Sequence, residues 1–350
     1  MSRLKGALIG YGAIAHNAHA AAFRGRDDFE ISAVADSSPE RLALAKSVFG
    51  QARTYRSLED LLAAEEGLDF VDLATPPWLH GHQVLLALKK GLHVLCEKPL
   101  TLDRSEYRLI AEESRRSGRT VFTVHNWAYS PIWSKAAELI AAGELGDIHH
   151  AELHAVRTKP SVAASPGDWR TDVHLAGGGI LVDHGWHNLY LLRRVLFPQG
   201  RMPSLSETNA FFHRPTPTSA EIEATVFFRF PAATALIHLT WRGASRSNWA
   251  VAHGSKATLE LRDDHILLNS GPGLQRRFDF PDKLSAGSAH PEWFAATLPD
   301  FRSEIQETAS RGRNLAEAGF VLDLLRQAYD GPGQPRPPRR VARPKEAAKP

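Results

Sequence analysis

Three groups of residues in this chain have types and spacings suited to work on small molecules. Glu97-Lys98-Pro99 places a lysine between a carboxylate and a proline. A lysine held in a crevice can have its pKa lowered enough to exchange protons near neutral pH. Taken alone, the tripeptide reads more simply as a charged strand end with a turn proline; its weight comes from the company it keeps. Asp183 and His187 stand four positions apart, which sets them on one face of a helix. A carboxylate beside a histidine orients the ring and stabilises its imidazolium, as a general base requires. The same pair suits a structural contact or, with His174 and His184, a divalent ion. A single cysteine and no tight histidine cluster argue against a metal, and none is expected. Gly177-Gly178-Gly179, just upstream, lets backbone approach another group closely.

The third group is a binding turn. Gly10-Tyr11-Gly12-Ala13-Ile14-Ala15 has the G-x-G-x-x-G/A form, after an apolar run and before a helical one, which is the context the motif needs. Gly10 permits the tight turn. Gly12 lets backbone N–H groups reach a pyrophosphate, with Ala13 and Ile14 opening the helix, and Ala15 allows close helix–strand packing. Asp36 follows 21 residues after Ala15, where it can accept hydrogen bonds from adenosine ribose hydroxyls. Its charge would repel a 2′-phosphate, so NAD is favoured; Arg41 is near enough in sequence to keep NADP open. Thr75-Pro76-Pro77-Trp78-Leu79-His80 is a stiff turn. It either faces the same crevice, with Thr75, Pro76 and His80 on the cofactor, or simply starts a helix.

Two units must position these residues. Over residues 1–125, strand and helix signals alternate: strands at Leu4–Gly10, Phe29–Asp36, Asp69–Thr75, His93–Cys96 and Thr120–Val124, with helices between them. Such alternation implies right-handed βαβ crossovers and a doubly wound parallel sheet, with Lys98 at the carboxyl end of a strand, where the cofactor crevice lies. Over residues 126–330 the pattern changes. A helix at Pro131–Ala142, a half-exposed strand at Ile148–Val156 and a helix at about Gly178–Leu196 precede five strand signals between Ala220 and Leu268. Two helices, about 291–310 and 313–329, follow. This predicts an α+β unit with a large, mainly antiparallel open sheet.

The chain has 350 residues, 43% hydrophobic and 23% charged, as in a soluble globular protein. No apolar run approaches the roughly 20 residues that span a membrane, and Met1–Lys5 leads into a strand pattern without a signal peptide. The net charge of +3 is concentrated in residues 331–350, where six basic residues face one acidic residue among six prolines. Residues 1–330 therefore sum to −2, which argues against a nucleic-acid partner, and the tail reads as disordered.

In this order, the Gly10–Ala15 turn, Asp36, Glu97-Lys98-Pro99 and the Gly177–His187 stretch resemble the Gfo/Idh/MocA family (glucose–fructose oxidoreductase, inositol dehydrogenase and rhizopine-catabolism proteins). The resemblance runs to about residue 330. It implies a Rossmann unit joined to an α/β unit, pairing through the second sheet as homodimers or homotetramers, and a cytoplasmic NAD(P)-dependent dehydrogenase acting on a secondary alcohol or ketone of a sugar, cyclitol or related polyol. By the same resemblance, Lys98 hydrogen-bonds the reacting oxygen and aids proton transfer. His187 is the general base, Asp183 holds that histidine, and Glu97 contacts the nicotinamide ribose. Pro99 follows a cis peptide bond, and Trp169-Arg170 lies near the cofactor. Asn126, His154 and His184 are candidates for substrate hydroxyls. Two departures stand out: Tyr190 where many members have an aspartate, and His125-Asn126-Trp127-Ala128-Tyr129 where many carry an arginine. Trp127, Tyr129, Trp133 and Trp186 either stack on a sugar or pack in the core. Two other readings fit less well. A cofactor-binding regulator without catalysis has no need of both Lys98 and His187, and a metal-dependent hydrolase has no need of the dinucleotide turn.

Overall fold

The structure is a computed structural model that describes residues 3–160, 173–200 and 202–331. Six strands form the first sheet: β1 (Leu4–Ile9), β2 (Phe29–Ala35), β3 (Arg53–Tyr55), β4 (Phe70–Leu73), β5 (His93–Cys96) and β6 (Val121–Thr123). All pair in parallel, in the order β3-β2-β1-β4-β5-β6, the doubly wound order whose strand reversal opens a crevice at the carboxyl ends. Strands β4 and β5 are buried throughout, as a sheet covered on both faces requires. Local chemistry stops and starts the connecting helices. Ser38, Ser57 and Asp103 side chains accept from backbone N–H groups at helix starts, and Gly118 ends helix Arg104–Ser117 in the left-handed conformation.

The second sheet holds eight strands: β7 (Ile148–Val156), β8 (Glu207–His213), β9 (Glu223–Arg229), β10 (Thr234–Thr240), β11 (Ser247–Gly254), β12 (Thr258–Leu261), β13 (His265–Asn269) and β14 (Gln275–Asp279). Their order is β14-β13-β12-β11-β7-β10-β9-β8, antiparallel except where β7 meets β10. Burial alternates along each inner strand. Ala151, Leu153 and Ala155 are buried on the side of helix Gly185–Leu196, while His150, Glu152 and His154 point away and stay half-exposed.

Two expected helices differ, and three strands carried no expectation. The helix expected from Gly178 to Leu196 is two, Ile180–Asp183 and Gly185–Leu196, with a break at His184. There the backbone comes so close that a Cβ on Gly185 would lie 2.7 Å from Leu181 Cδ1. The helix expected over 291–310 is also two, Pro291–Ala295 and Leu298–Gln306, because Pro299 can begin a helix but not continue one. Strands β3, β8 and β14 have short or largely exposed sequences and lack the apolar signal of the others. The closing helices return to the first sheet: Phe294 and Phe301 are fully buried among Phe23, Phe29 and Phe70.

Candidate active site

On the dinucleotide side, Gly10 takes φ +84°, and its N–H donates to Ala35 O at 2.7 Å. A Cβ there would meet Thr75 Cγ2 and Ala74 O at about 3.0 Å or less, so the turn needs glycine. Gly12 differs: a Cβ built on it meets nothing within 4 Å. That open space beside the first turn of a helix is what a pyrophosphate requires, and the residues present fit NAD. Asp36 accepts from Tyr11 N–H at 2.7 Å and Ser38 N–H at 2.8 Å. These bonds pin its carboxylate at the end of β2, and Arg41 lies 3.8 Å away.

Behind this turn the helix is wound as a π-helix over Ala15–His19, a widening that recurs at functional sites. It points the fully buried His19 between two carboxylates, with Nδ1 2.7 Å from Asp72 and Nε2 3.1 Å from Glu97. Burial pulls the His19 pKa down, but Asp72 and Glu97 together raise it to about 9. The ring is therefore a cation at neutral pH. Burial pushes Asp72 up, whereas Glu97 falls below its ordinary value because His19 and Lys98 outweigh the burial.

Lys98 is the junction of the two units. Its Nζ donates to Asp183 O at 2.8 Å and lies 3.5 Å from Asp183 Oδ1. Glu97 turns back to accept from Lys98 N–H at 3.0 Å, and the Lys98–Pro99 peptide is cis. Burial opposes ionising Asp183, but His184 and Lys98 outweigh it and hold the carboxyl well below its usual range. Asp183 is carried by a short helix that Glu221 secures: its buried Oε1 accepts from Gly179 N–H, Leu181 N–H and Tyr329 OH.

His187 lies on the same site but is not oriented by Asp183. Because the helix breaks at His184, the Asp183 carboxylate faces His184 Nδ1, 3.2 Å away and off the line of a good hydrogen bond, and Lys98. The ring of His187 is set instead by Tyr190, whose hydroxyl is 2.8 Å from Nδ1, and by Trp127, stacked at 4.9 Å and 18°. Burial and the neighbouring Lys98 push His187 well below its usual pKa.

Other expected positions fall differently. His184 is no free substrate ligand: the buried Arg157 donates from Nε to His184 Nε2 at 3.0 Å, leaving Nδ1 toward Asp183. His154 is on the opposite face of the second sheet, 3.2 Å from Glu152 and stacked on Trp249 at 4.4 Å; alternation along β7 turns it away from the site. His80 is fully buried with both ring nitrogens taken, by Thr75 O at 2.7 Å and Pro99 O at 2.8 Å. It thus braces the Thr75-Pro76 turn against the Lys98 turn instead of meeting a cofactor. Asn126 opens the short helix Asn126–Tyr129 after β6, next to Trp127. Trp133 and Trp186 are core. Trp169, Arg170, the side chain of His174 and the tail beyond residue 331 lie outside the described residues.

Reasoning from sequence missed His19, Asp72, Arg157 and Glu221. For His19 and Asp72 the signal was an imidazole or a charge inside a mostly apolar stretch, as in Phe70-Val71-Asp72-Leu73, which demands a buried partner; Arg157 and Glu221, beside Thr158-Lys159 and Glu223, carried no such signal. Among the described residues no group of three or more His, Cys, Asp and Glu can hold a metal, and no helix is long and apolar enough to cross a membrane.

Comparison with known proteins agrees with this fold. Residues 4–125 match the family model described as an oxidoreductase family with an NAD-binding Rossmann fold, and residues 133–260 match the GFO/IDH/MocA C-terminal domain. An uncharacterized oxidoreductase of Rhizobium meliloti is 27% identical over 343 residues, covering 89% of this chain and 98% of its own length. The D-glucoside 3-dehydrogenase of Escherichia coli is 29% identical over 60% of this chain and 57% of its own. The structure of a levoglucosan dehydrogenase in complex with NADH and levoglucosan shares the fold, with a TM-score of 0.78 at 19% identity over 93% of this chain and 97% of that one.

Proposed function

The chain belongs to the Gfo/Idh/MocA family of oxidoreductases with an NAD-binding Rossmann fold, and from that premise we propose that it moves a hydride between NAD and a secondary alcohol or ketone of a sugar or related polyol. The observation that carries this reading is the Lys98–Asp183 contact. It holds the Lys98 side chain, just past the carboxyl end of β5, from the second unit, 85 residues away. The substrate class draws on relatives named for a D-glucoside and for levoglucosan.

NAD, when bound, supplies the ring that accepts or returns the hydride. The chain supplies the rest. Gly12 and the N–H groups after it receive the pyrophosphate, and Asp36 accepts from the adenosine ribose. Glu97, held by His19, is placed for the second ribose. Lys98 and His187 flank the substrate oxygen and manage its proton, while Asp183 keeps Lys98 aimed at it. Trp127 stacks on His187 and partly closes that side. The half-exposed face of the second sheet is proposed as the surface that pairs with another copy. One cysteine, buried and free, suits a reducing compartment, and the cytoplasm is proposed.

A screen of sugars and cyclitols by NAD reduction tests the reading. Absorbance of the reduced cofactor should rise with at least one, and should not rise after Lys98→Ala. A chain that binds NADH but reduces no member of the panel in either direction would refute it.

A further inference from the structure

We infer that Tyr190 is a positioning residue that fixes His187 as its Nε2–H tautomer, so that His187 donates a hydrogen bond to the substrate oxygen and Lys98 exchanges the proton. The tautomer rests on geometry alone; the substrate step rests on the function proposed above.

Tyr190 is fully buried, three residues after His187 on helix Gly185–Leu196. Its hydroxyl oxygen accepts from Trp127 N–H at 3.0 Å and stands 2.8 Å from His187 Nδ1. A phenol has one proton, which needs an acceptor when buried. The Trp127 N–H can only donate. Among the described residues, His187 Nδ1 is then the only partner able to receive the phenolic proton. With O–H donating to Nδ1, both contacts are satisfied. Reversing the second contact leaves the phenolic proton unpaired, at a cost of about 1–3 kcal/mol.

The surroundings keep both groups neutral. Burial pushes the Tyr190 phenol well above its usual pKa. Around His187, burial and the charges of Lys98, His184 and His125 disfavour imidazolium, and Asp183 alone favours it. A neutral imidazole that accepts at Nδ1 carries its proton at Nε2, and Nε2 has no hydrogen-bond partner among the described residues. A carboxylate in place of Tyr190 would do the opposite: it can only accept, so it draws the proton to Nδ1 and frees Nε2 as a base. Tyr190 therefore gives His187 the role of a donor at Nε2.

The proton balance follows. In alcohol oxidation the substrate O–H proton passes to Lys98 in its amine form, the C–H pair leaves as hydride to the bound nicotinamide, and the carbonyl forms. In reduction the Lys98 ammonium returns the proton. His187 stays neutral in both directions and stabilises the oxygen through one hydrogen bond.

The test is nitrogen NMR of the full chain carrying 15N-histidine, without substrate, with the His187 signals identified by their loss in His187→Gln. Wild type should show a protonated Nε2 and a bare Nδ1. Tyr190→Phe, which keeps the ring and removes the donor, should reduce the excess of that form by roughly tenfold, the equivalent of about 1.4 kcal/mol. In turnover, His187→Gln, whose amide can donate but cannot act as a base, should recover most of what His187→Ala loses. Wild-type His187 protonated at Nδ1, an unchanged pattern in Tyr190→Phe, or equal losses in Gln and Ala would overturn the inference. The wild-type spectrum decides the tautomer even if Tyr190→Phe does not fold. The expected tautomer in a chain with no NAD-linked activity would refute the proposed function and leave the assignment of Tyr190 standing.

Discussion

His19 is a cation sealed between Asp72 and Glu97, with no exposure of its own, and its energetics are readable through pH. Its folded pKa, raised to about 9 from 6.5, means that its stabilisation is fully present below pH 6.5 and is lost as pH rises through about 9. Thermal melts from pH 6 to 10 should show a wild-type Tm falling toward the alkaline end. His19→Gln should lack that share of the slope, so the two curves converge; parallel curves would contradict the charged assignment. Lys98 is a matter of rate, not of stability. Lys98→Ala should lower turnover by about 10²–10⁴-fold while NAD affinity, followed by tryptophan fluorescence, changes by no more than a few-fold. Sequence made Lys98, Asp183 and His187 legible as candidates through their types and motifs, although the four-residue spacing of Asp183 and His187 did not make them partners, because the helix breaks at His184. It misplaced the partnerships: His184, His154 and His80 each had the right type for a site, but whether a histidine faces a ligand or a neighbour depends on a helix break, on which face of a strand it occupies, or on two carbonyls brought together across the sheet.

At the scale of elements, the two glycine turns answer opposite demands, and alanine separates them. Gly12→Ala adds a methyl to open space, so Tm should hold within about 1 °C while NAD affinity drops, because the methyl occupies the approach of the pyrophosphate. An unchanged NAD affinity would remove Gly12 from the cofactor site. Gly179→Ala puts a methyl 1.9 Å from the carbonyl oxygen of Glu221, which is backbone and cannot swing aside. That should cost about 1–3 kcal/mol of stability and lower turnover by displacing the helix that carries Asp183, with NAD binding spared. Five of the six strands of the first sheet were readable because apolar runs such as Val94–Cys96 alternate with well-capped helices. The breaks at His184 and ahead of Pro299 were harder. The first depends on close approach to Leu181 and Leu239, contacts that exist only after folding, although the proline itself was in plain view.

For the whole molecule, the outer face of the second sheet is the surface proposed to meet another copy. Pairing registers place Phe227, Leu236, Glu152 and Val251 in one row across four strands, and Thr225, His238, His154 and Trp249 in the next. All are half-exposed, whereas the inner face is covered by helices. A row of three apolar side chains around Glu152, next to imidazoles, suits a self-complementary interface about a two-fold axis, and a stable interface buries on the order of 1,600 Å², within reach of an eight-stranded sheet. Light scattering after size exclusion should give a dimer or tetramer at neutral pH. Leu236→Lys with Val251→Lys places two like charges on either side of Glu152, and the assembly should fall to monomers that still bind NAD, since the Gly10–Ala15 turn is on the other sheet. Acid should weaken the assembly as well. Burial keeps His154 below its usual pKa, so the neutral ring is the one the paired face accommodates, and protonating it in acid sets a charge where a partner would exclude water. An assembly that survives both the double lysine variant and pH 5.5 would show that the copies meet through another surface.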